Sequence, residues 1–260
     1  MPRALVRRPG PKLADGIVTH IERSPIDVDR ALVQWERYVA ALREHGWDTS
    51  EVEPADDCPD AVFVEDVVVV FDEVAVVTRP GAPSRRPETA GAEAAARAAG
   101  LEIHRITEPG LLDGGDILKV VTSEGAGVRK TAYVGIGGRT NPEAVAQLAL
   151  LLSPRGWFVR PVPVHKVLHL KSAVTALPDG TVIGYPDLVD DPSAFDRFVA
   201  VPEPEGAHVV LIGGNRLLMS ANAPASAELF RSMGYEPVCV DIGEFEQLEG
   251  CVTCLSVRIR

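Results

Sequence analysis

Cys254 ends the run Glu249-Gly250-Cys251-Val252-Thr253-Cys254, close to the last residue of the sequence. A Cys-x-x-Cys pair suggests zinc, redox chemistry or a thiol nucleophile. Zinc needs about four ligands, and the remaining cysteines, Cys58 and Cys239, stand in no second Cys-x-x-Cys. Thioredoxin-like chemistry places the motif at a helix start, whereas this one runs into an extended segment. One nucleophilic Cys beside a bystander remains, with Cys58 and Cys239 read as inert buried thiols. His165 and His169 lie in Val164-His165-Lys166-Val167-Leu168-His169-Leu170-Lys171-Ser172. On a helix that spacing would make a metal pair. Pro161 and Pro163 precede it and an extended run follows, which leaves a surface His or a general acid/base in a polar pocket.

Acidic and basic residues cluster in three further places. Asp60, Glu65 and Asp66 fall in Pro59-Asp60-Ala61-Val62-Phe63-Val64-Glu65-Asp66, beside a Val-rich run. They are either solvated strand ends or a cluster that binds a cation: guanidinium, amine or metal. Asp113 and Asp116 flank Gly114-Gly115, a pair that permits tight backbone packing in or out of a plain hairpin turn. Arg79, Arg85 and Arg86 lie in the Pro/Gly loop Thr78–Arg86, and Arg139 stands at a helix entrance in Gly135-Ile136-Gly137-Gly138-Arg139-Thr140-Asn141-Pro142. Loop guanidinium groups are often only solvated, but they also match a substrate carboxylate in a bidentate fork. The glycines of that last run do not complete a dinucleotide fingerprint, because Asn141 stands where the third Gly is required. No Gly-Lys-Ser/Thr follows the Gly114 pair, which excludes a phosphate-binding loop.

Short strands and amphipathic helices must position these groups. Strands are expected at Ala4–Arg8, Thr49–Glu53, Ala61–Val64, Val67–Phe71, Val74–Thr78, Glu102–Ile106, Asp116–Val121, Thr131–Ile136, Trp157–Val162, Ala173–Leu177, Thr181–Tyr185, His208–Ile212, Arg216–Met219, Glu236–Val240 and Leu255–Ile259. Helices are expected at Val28–His45, Arg86–Ala99, Pro142–Leu152, Asp191–Val199 and Pro224–Gly234, with one turn at Gly243–Gln247. Two or three short strands between helices fit about five modules of ββαβ type, better than simple βαβ winding. The 260 residues favour one compact domain, 1–260, and 46% hydrophobic residues supply its core. A formal charge of −11 argues against nucleic acid or anionic membrane as a partner. No run of about 18 apolar residues or signal-peptide core is present, and sparse Cys suits a reducing compartment, so a cytoplasmic location is expected.

Six segments, PDAVFVEDVVVV, TRPGAPSRR, LDGGDIL, GRTN, LHLKSAVT and EGCVTCLSV, in this order over nearly the whole chain, resemble dimethylarginine dimethylaminohydrolases, guanidino-group-modifying enzymes of the pentein superfamily. The resemblance implies a five-fold pseudosymmetric α/β propeller of ββαβ modules around a central channel. It implies hydrolysis of Nω,Nω-dimethylarginine and monomethylarginine to citrulline and dimethylamine or methylamine through a covalent Cys-thiouronium intermediate. Residue by residue, Cys254 matches the nucleophile, His169 the general acid/base and Asp113 the carboxylate that orients it. Asp60, Glu65 and Asp66 match the cluster around the guanidinium and substrate amine. Arg85 and Arg139 match anchors for the α-carboxylate, and Ser172 and Glu249 further pocket positions. The family's N-terminal lid would fall at Lys12–Arg23, where the match is poor.

No cofactor is expected, although a Cys254–His169 pair would take up stray Zn²⁺ and be inhibited. The implied partner is a small methylated arginine, acting on a monomer or homodimer. Other readings stay open: an arginine deiminase or amidinotransferase of the same fold, a non-enzymatic pentein like the ribosomal anti-association factor, or a zinc module using Cys251, Cys254, His165 and His169.

Overall fold

Stiff, β-branched residues make short strands here, and the turns between them decide which strands pair. The computed structural model describes residues 1–124 and 127–260. In chain order, β1 (Arg3–Val6) is followed by α1 (Val28–Glu44) and β2 (Asp48–Glu51). Next come β3 (Val68–Phe71), β4 (Val74–Val77), α2 (Thr89–Ala98) and β5 (Glu102–Arg105). The third group is β6 (Ile117–Glu124), β7 (Gly127–Ile136), α3 (Pro142–Leu152) and β8 (Trp157–Pro163). Then follow β9 (Val174–Ala176), β10 (Val182–Gly184) and β11 (Phe198–Ala200), with no α-helix among them. The chain finishes with β12 (Val209–Gly213), β13 (Arg216–Ser220), α4 (Pro224–Ser232), β14 (Glu236–Val240), α5 (Gly243–Glu246) and β15 (Val257–Ile259).

These strands form five three-stranded sheets, ordered β15-β1-β2, β3-β4-β5, β6-β7-β8, β9-β10-β11 and β12-β13-β14. In each, the middle strand pairs antiparallel with one neighbour and parallel with the other. The ββαβ unit expected is thus the repeat in four of the five groups; the β9–β11 group has 3₁₀ turns in place of its helix. One sheet is closed by the two ends of the sequence, Arg3 opposite Ile259. A cavity of about 520 Å³ is lined by residues of β3, β6, β9, β12 and β15, the first strand of every sheet. The five inner strands therefore surround one central channel, and the helices lie outside them.

Packing explains the helices. Asp27 caps α1 by accepting from Arg30 N at 3.0 Å, and Asn141 caps α3 by accepting from Ala144 N at 3.1 Å. Along α1, Ala31, Trp35, Tyr38, Val39 and Leu42 fall on one buried face and join a core with Phe245, Leu248, Val252 and Leu255. That core is what holds the Cys-bearing loop against the body of the protein. Among the described residues, no helix is long and apolar enough to cross a membrane.

Three expected elements differ. Ala61–Val64 is a turn leading into a 3₁₀ segment at Val64–Asp66, not a strand. The helix expected from Arg86 begins at Thr89, after a 3₁₀ stretch Pro83–Glu88 that contains Pro87. The helix expected at Asp191–Val199 is a single 3₁₀ turn, Pro192–Ala194, followed by β11. There Asp191 accepts from Ser193 N at 2.9 Å, the local bond that competes with helix. Phe195 then turns extended and packs on Tyr133 at 5.1 Å between ring centroids, so tertiary contact overrides the helical pattern.

Candidate active site

The site forms where loops between strands converge at one end of the axis. The Gly114-Gly115 turn must be glycine. A Cβ on Gly114 would lie 2.0 Å from Glu65 O, and one on Gly115 would lie 2.5 Å from His169 Nδ1. This close approach brings the Asp66, Asp113 and His169 loops together. Asp116, just beyond, accepts from Leu170 N at 2.9 Å and from Thr140 Oγ1 at 2.6 Å. It thereby fixes the residue after His169 and the residue after Arg139. Burial pushes its carboxyl up to about 6, against the pull of His169 and these bonds.

His169 is buried between carboxylates. Its Nε2 lies 3.0 Å from Asp113 Oδ2, and its Nδ1 3.7 Å from Asp66 Oδ1. Burial alone would lower its pKa, but the Asp66 charge and the Asp113 hydrogen bond outweigh that and lift it to about 9. The ring is therefore an imidazolium at neutral pH, able to give a proton. Asp113 also accepts from Gly81 N at 2.8 Å and lies 3.7 Å from Arg139 Nη1. Asp66 accepts from Gly115 N at 3.0 Å and from Arg85 Nη1 at 2.5 Å. Burial opposes its ionisation, yet His169 and Arg85 hold its carboxyl below the usual range.

Cys254 sits across this cavity, its loop tied down at several points. Glu65 N donates to Cys254 O at 3.2 Å. Tyr38 Oη, from α1, donates to Val252 O at 2.9 Å. Glu249 adopts φ 60°, a left-handed backbone uncommon outside glycine. The Cys254 thiol is pushed up by its contact with Cys251, by burial and by the Asp66 and Glu65 charges. A cation placed among these carboxylates would work in the opposite direction and favour the thiolate.

Ile17, Asp60, Phe63, Asp66, Arg85, Arg139, Leu168, His169, Leu248, Glu249, Gly250 and Cys254 enclose a cavity of about 20 Å³. Asp113 stands directly behind His169. Seven of the ten expected site residues thus line the cavity, and Asp113 adjoins it. The apolar wall of Ile17, Phe63, Leu168 and Leu248 was not anticipated, since hydrophobic residues carry no chemical signature in a sequence.

Two expected residues lie elsewhere. Glu65 faces the central channel, where its Oε1 lies 2.5 Å from both Lys171 Nζ and Arg258 Nη2. Its neighbour Asp66 faces the site, because a 3₁₀ turn splits adjacent side chains between the two sides. Ser172 is not in the cavity wall; its carbonyl lies 2.9 Å from His208 Nε2. Arg85 does reach the wall, but its guanidinium is taken up by Glu88, Asp66 and the carbonyls of Asp60 and Phe63. Arg139, with the single carboxylate contact to Asp113, is the freer cation. His165 is exposed, its N–H donating to Asp190 Oδ2 at 2.8 Å, so it does not join His169. Among the described residues, no group of three or more His, Cys, Asp or Glu side chains is arranged to hold a metal ion.

The segment that begins at Ile17 covers the cavity. Ile17 N donates to Asp60 Oδ1 at 3.0 Å. Thr19 N and His20 N donate to the two oxygens of Glu249 at 2.7 and 2.6 Å. Ser24 Oγ donates to Gln247 at 2.6 Å. About 20 Å³ has room for a water, not an amino acid. Ile17, Thr19 and His20 fall within Lys12–Arg23, the stretch to which the resemblance assigns the family's lid.

Comparison with known proteins agrees with this geometry. No family model matches the chain. A dimethylarginine dimethylaminohydrolase of Streptomyces coelicolor is 62% identical over 258 residues, covering 99% of this chain and 97% of the relative. One from Pseudomonas aeruginosa is 33% identical over 257 residues, covering 98% of each. The solved structure of a Cys-to-Ser mutant of the Pseudomonas aeruginosa protein complexed with citrulline superposes with TM-score 0.88, covering 99% of this chain and 98% of that one, at 32% identity. The N-terminal domain of ArgZ, an arginine dihydrolase, shares the fold at TM-score 0.84 and 20% identity, covering 100% of this chain and 98% of that one. With the Cys, His and Asp of the expected motifs meeting around one cavity and two such relatives matched end to end, the chain belongs to the dimethylarginine dimethylaminohydrolase family.

Proposed function

We propose that the protein hydrolyses Nω,Nω-dimethyl-L-arginine, and the monomethyl compound, to L-citrulline and dimethylamine or methylamine. The observation that carries this is the pairing, around one cavity, of a thiol with a charged imidazole and two carboxylates. A guanidinium carbon is a poor electrophile because resonance spreads its charge. Asp60 and Asp66 hold the cation and orient it, while Arg139 takes the α-carboxylate at the other end. Arg85 acts on the substrate through Asp66, which it keeps ionised.

The Cys254 thiolate adds to the guanidinium carbon. The bond to the dimethylated nitrogen then breaks, and that nitrogen takes a proton from His169. A thiouronium remains on Cys254. His169, now neutral, removes a proton from water as the water oxygen bonds to the same carbon. Collapse breaks the C–S bond, the sulfur leaves as thiolate, the hydroxyl proton passes to solvent, and citrulline is freed with His169 protonated again. Asp113 holds the imidazole in place and favours its charged form through both steps. The Ile17 segment, closed over the site, keeps bulk water from the intermediate until the amine has gone.

The test is citrulline release from dimethylarginine by the purified protein, with arginine in parallel and a chelator present. Citrulline from dimethylarginine, lost in Cys254→Ser by on the order of 10⁴-fold or more, supports the reading. Turnover of arginine far above methylarginine, or full activity in Cys254→Ser, overturns it.

A further inference from the structure

Hydrolysis leaves unused the second thiol of the Cys loop. Cys251 Sγ lies 3.4 Å from Cys254 Sγ and 3.3 Å from Thr253 Oγ1, and both cysteines are buried. Cys254 N donates to Cys251 O at 3.1 Å, so the two residues are the ends of one tight turn. Such a turn holds its terminal Cα atoms within about 7 Å, and a disulfide spans roughly 4.4–6.8 Å. The sulfurs would close from 3.4 Å to about 2.05 Å by side-chain rotation, with no strand moved. The turn cannot splay apart easily. A Cβ on Gly250 would lie 2.3 Å from Phe63 Cε1, so the backbone before Cys251 is packed against that ring. The remaining thiols do not compete: Cys58 Sγ lies against Ser84 O at 3.9 Å, and Cys239 is exposed on β14. Cys254, not Cys251, lines the cavity. One sulfur is therefore open to whatever enters the site, and the other waits behind it.

We propose that Cys251 is the resolving thiol of a reversible redox site, in which a hydroperoxide entering the substrate cavity oxidises Cys254 and the pair closes as a Cys251–Cys254 disulfide. In the first step the Cys254 sulfur attacks the terminal peroxide oxygen and gives up its thiol proton. The O–O bond breaks, and the departing oxygen leaves with the electron pair and takes a proton, as water or an alcohol. Cys254 is left as a sulfenic acid. In the second step the Cys251 sulfur attacks the Cys254 sulfur, the S–O bond breaks, and the hydroxide leaves with the Cys251 proton as water. Two thiols are oxidised and one hydroperoxide is reduced. A reducing dithiol reverses the bond by exchange. Without a resolving thiol the sulfenic acid goes on to sulfinic acid, which dithiols do not restore. That hydrolysis stops on oxidation rests on the proposed role of Cys254; formation of the bond does not.

The experiment uses the full chain carrying Cys239→Ser, because Cys239 lies with Cys251 and Cys254 between Arg231 and Arg258 and would share their tryptic fragment. Hydrogen peroxide is the probe, followed by dithiothreitol, with activity and mass read at each stage. The expected result is loss of citrulline release together with loss of two hydrogens from that fragment, both reversed completely by dithiothreitol. Cys251→Ser in the same background should lose activity to the same treatment, gain oxygen at Cys254 and recover little. Oxygen gained at Cys254 with no bond to Cys251, or equal recovery with and without Cys251, overturns the proposal. A reversible disulfide in a protein that releases no citrulline even when reduced would support the redox site and sink the hydrolase reading instead.

Discussion

Two cavities share the propeller axis, and they differ in size, charge and state of closure. The central channel holds about 520 Å³ and is lined by one strand from every sheet. The candidate active site holds about 20 Å³ and is built from loops. The larger space contains no Cys or His in its wall; there Lys171 and Arg258 pair with Glu65, while Lys119 and Arg260 of the same wall donate to the carbonyls of Val70 and Leu211. The smaller space contains a thiol, an imidazolium and carboxylates with partners on both sides of the ring. Glu65 and Asp66 are consecutive, yet each belongs to a different cavity. Buried charge thus has two uses here. In the channel, Glu65 is paired with two cations and further cations rest on backbone carbonyls. In the site, part of the pairing is left for a ligand to complete.

Perturbing each side should separate these roles, and the largest effect is expected at Asp113. Asp113→Asn keeps the shape but removes the charge that orients and supports the imidazolium. A fall in kcat of about 10²–10⁴-fold is expected. Unchanged turnover would remove Asp113 from the mechanism.

Glu65→Gln should do the reverse. It leaves Lys171 and Arg258 buried against a neutral amide, and breaking such a pair costs about 3–5 kcal/mol. Thermal unfolding should shift down sharply while KM for dimethylarginine barely moves. A KM rise without lost stability would place Glu65 in the substrate site after all.

Arg139→Ala should raise KM by about 10- to 100-fold, the value of one hydrogen-bonded charge contact at 1.5–3 kcal/mol. Saturating turnover should change less. A loss confined to kcat would argue against carboxylate anchoring.

The smallest and most diagnostic effect is in pH. The folded-state pKa of His169, about 9, lies above its usual 6.5. Its charged contacts therefore contribute their full stability below about pH 6.5 and lose it as pH rises through about 9. The alkaline limb of kcat/KM should fall over the same window, and in Asp113→Asn that limb should move to lower pH. A limb that stays in place would detach His169 from the rate.

Much of this was legible before any coordinates. The Val-rich runs, the Pro142 helix start and the glycine stop after Ala99 carry local signals that survive in the fold, because each depends on neighbours in sequence. The group of strands after β8, β9–β11, shows where local signals fail. Asp191 and Pro192 read as a helix entrance, yet Phe195 and Phe198 are drawn out by packing on Tyr133 and by pairing with β10. In the site, residue type and motif order pointed to Cys254, His169, Asp113, Asp60, Asp66, Arg139 and Glu249. They could not say which way Glu65 turns, that Ser172 stays outside, or that Glu88 shares Arg85 with Asp66.

The sequence by itself determined which chemistry is available: a thiol, a histidine, carboxylates and guanidinium groups, each beside the glycines and prolines that shape its loop. Only the tertiary structure decided which of them meet. His169 and Asp113 are 56 residues apart and Glu249 reaches back 229 residues to His20. Such contacts depend on the closing of five sheets around one axis, and no local periodicity encodes them. Direction was likewise decided there. A buried carboxylate points to whichever cation the fold delivers, so Glu65 turned to Lys171 and Arg258 while Asp66 turned to Arg85 and His169.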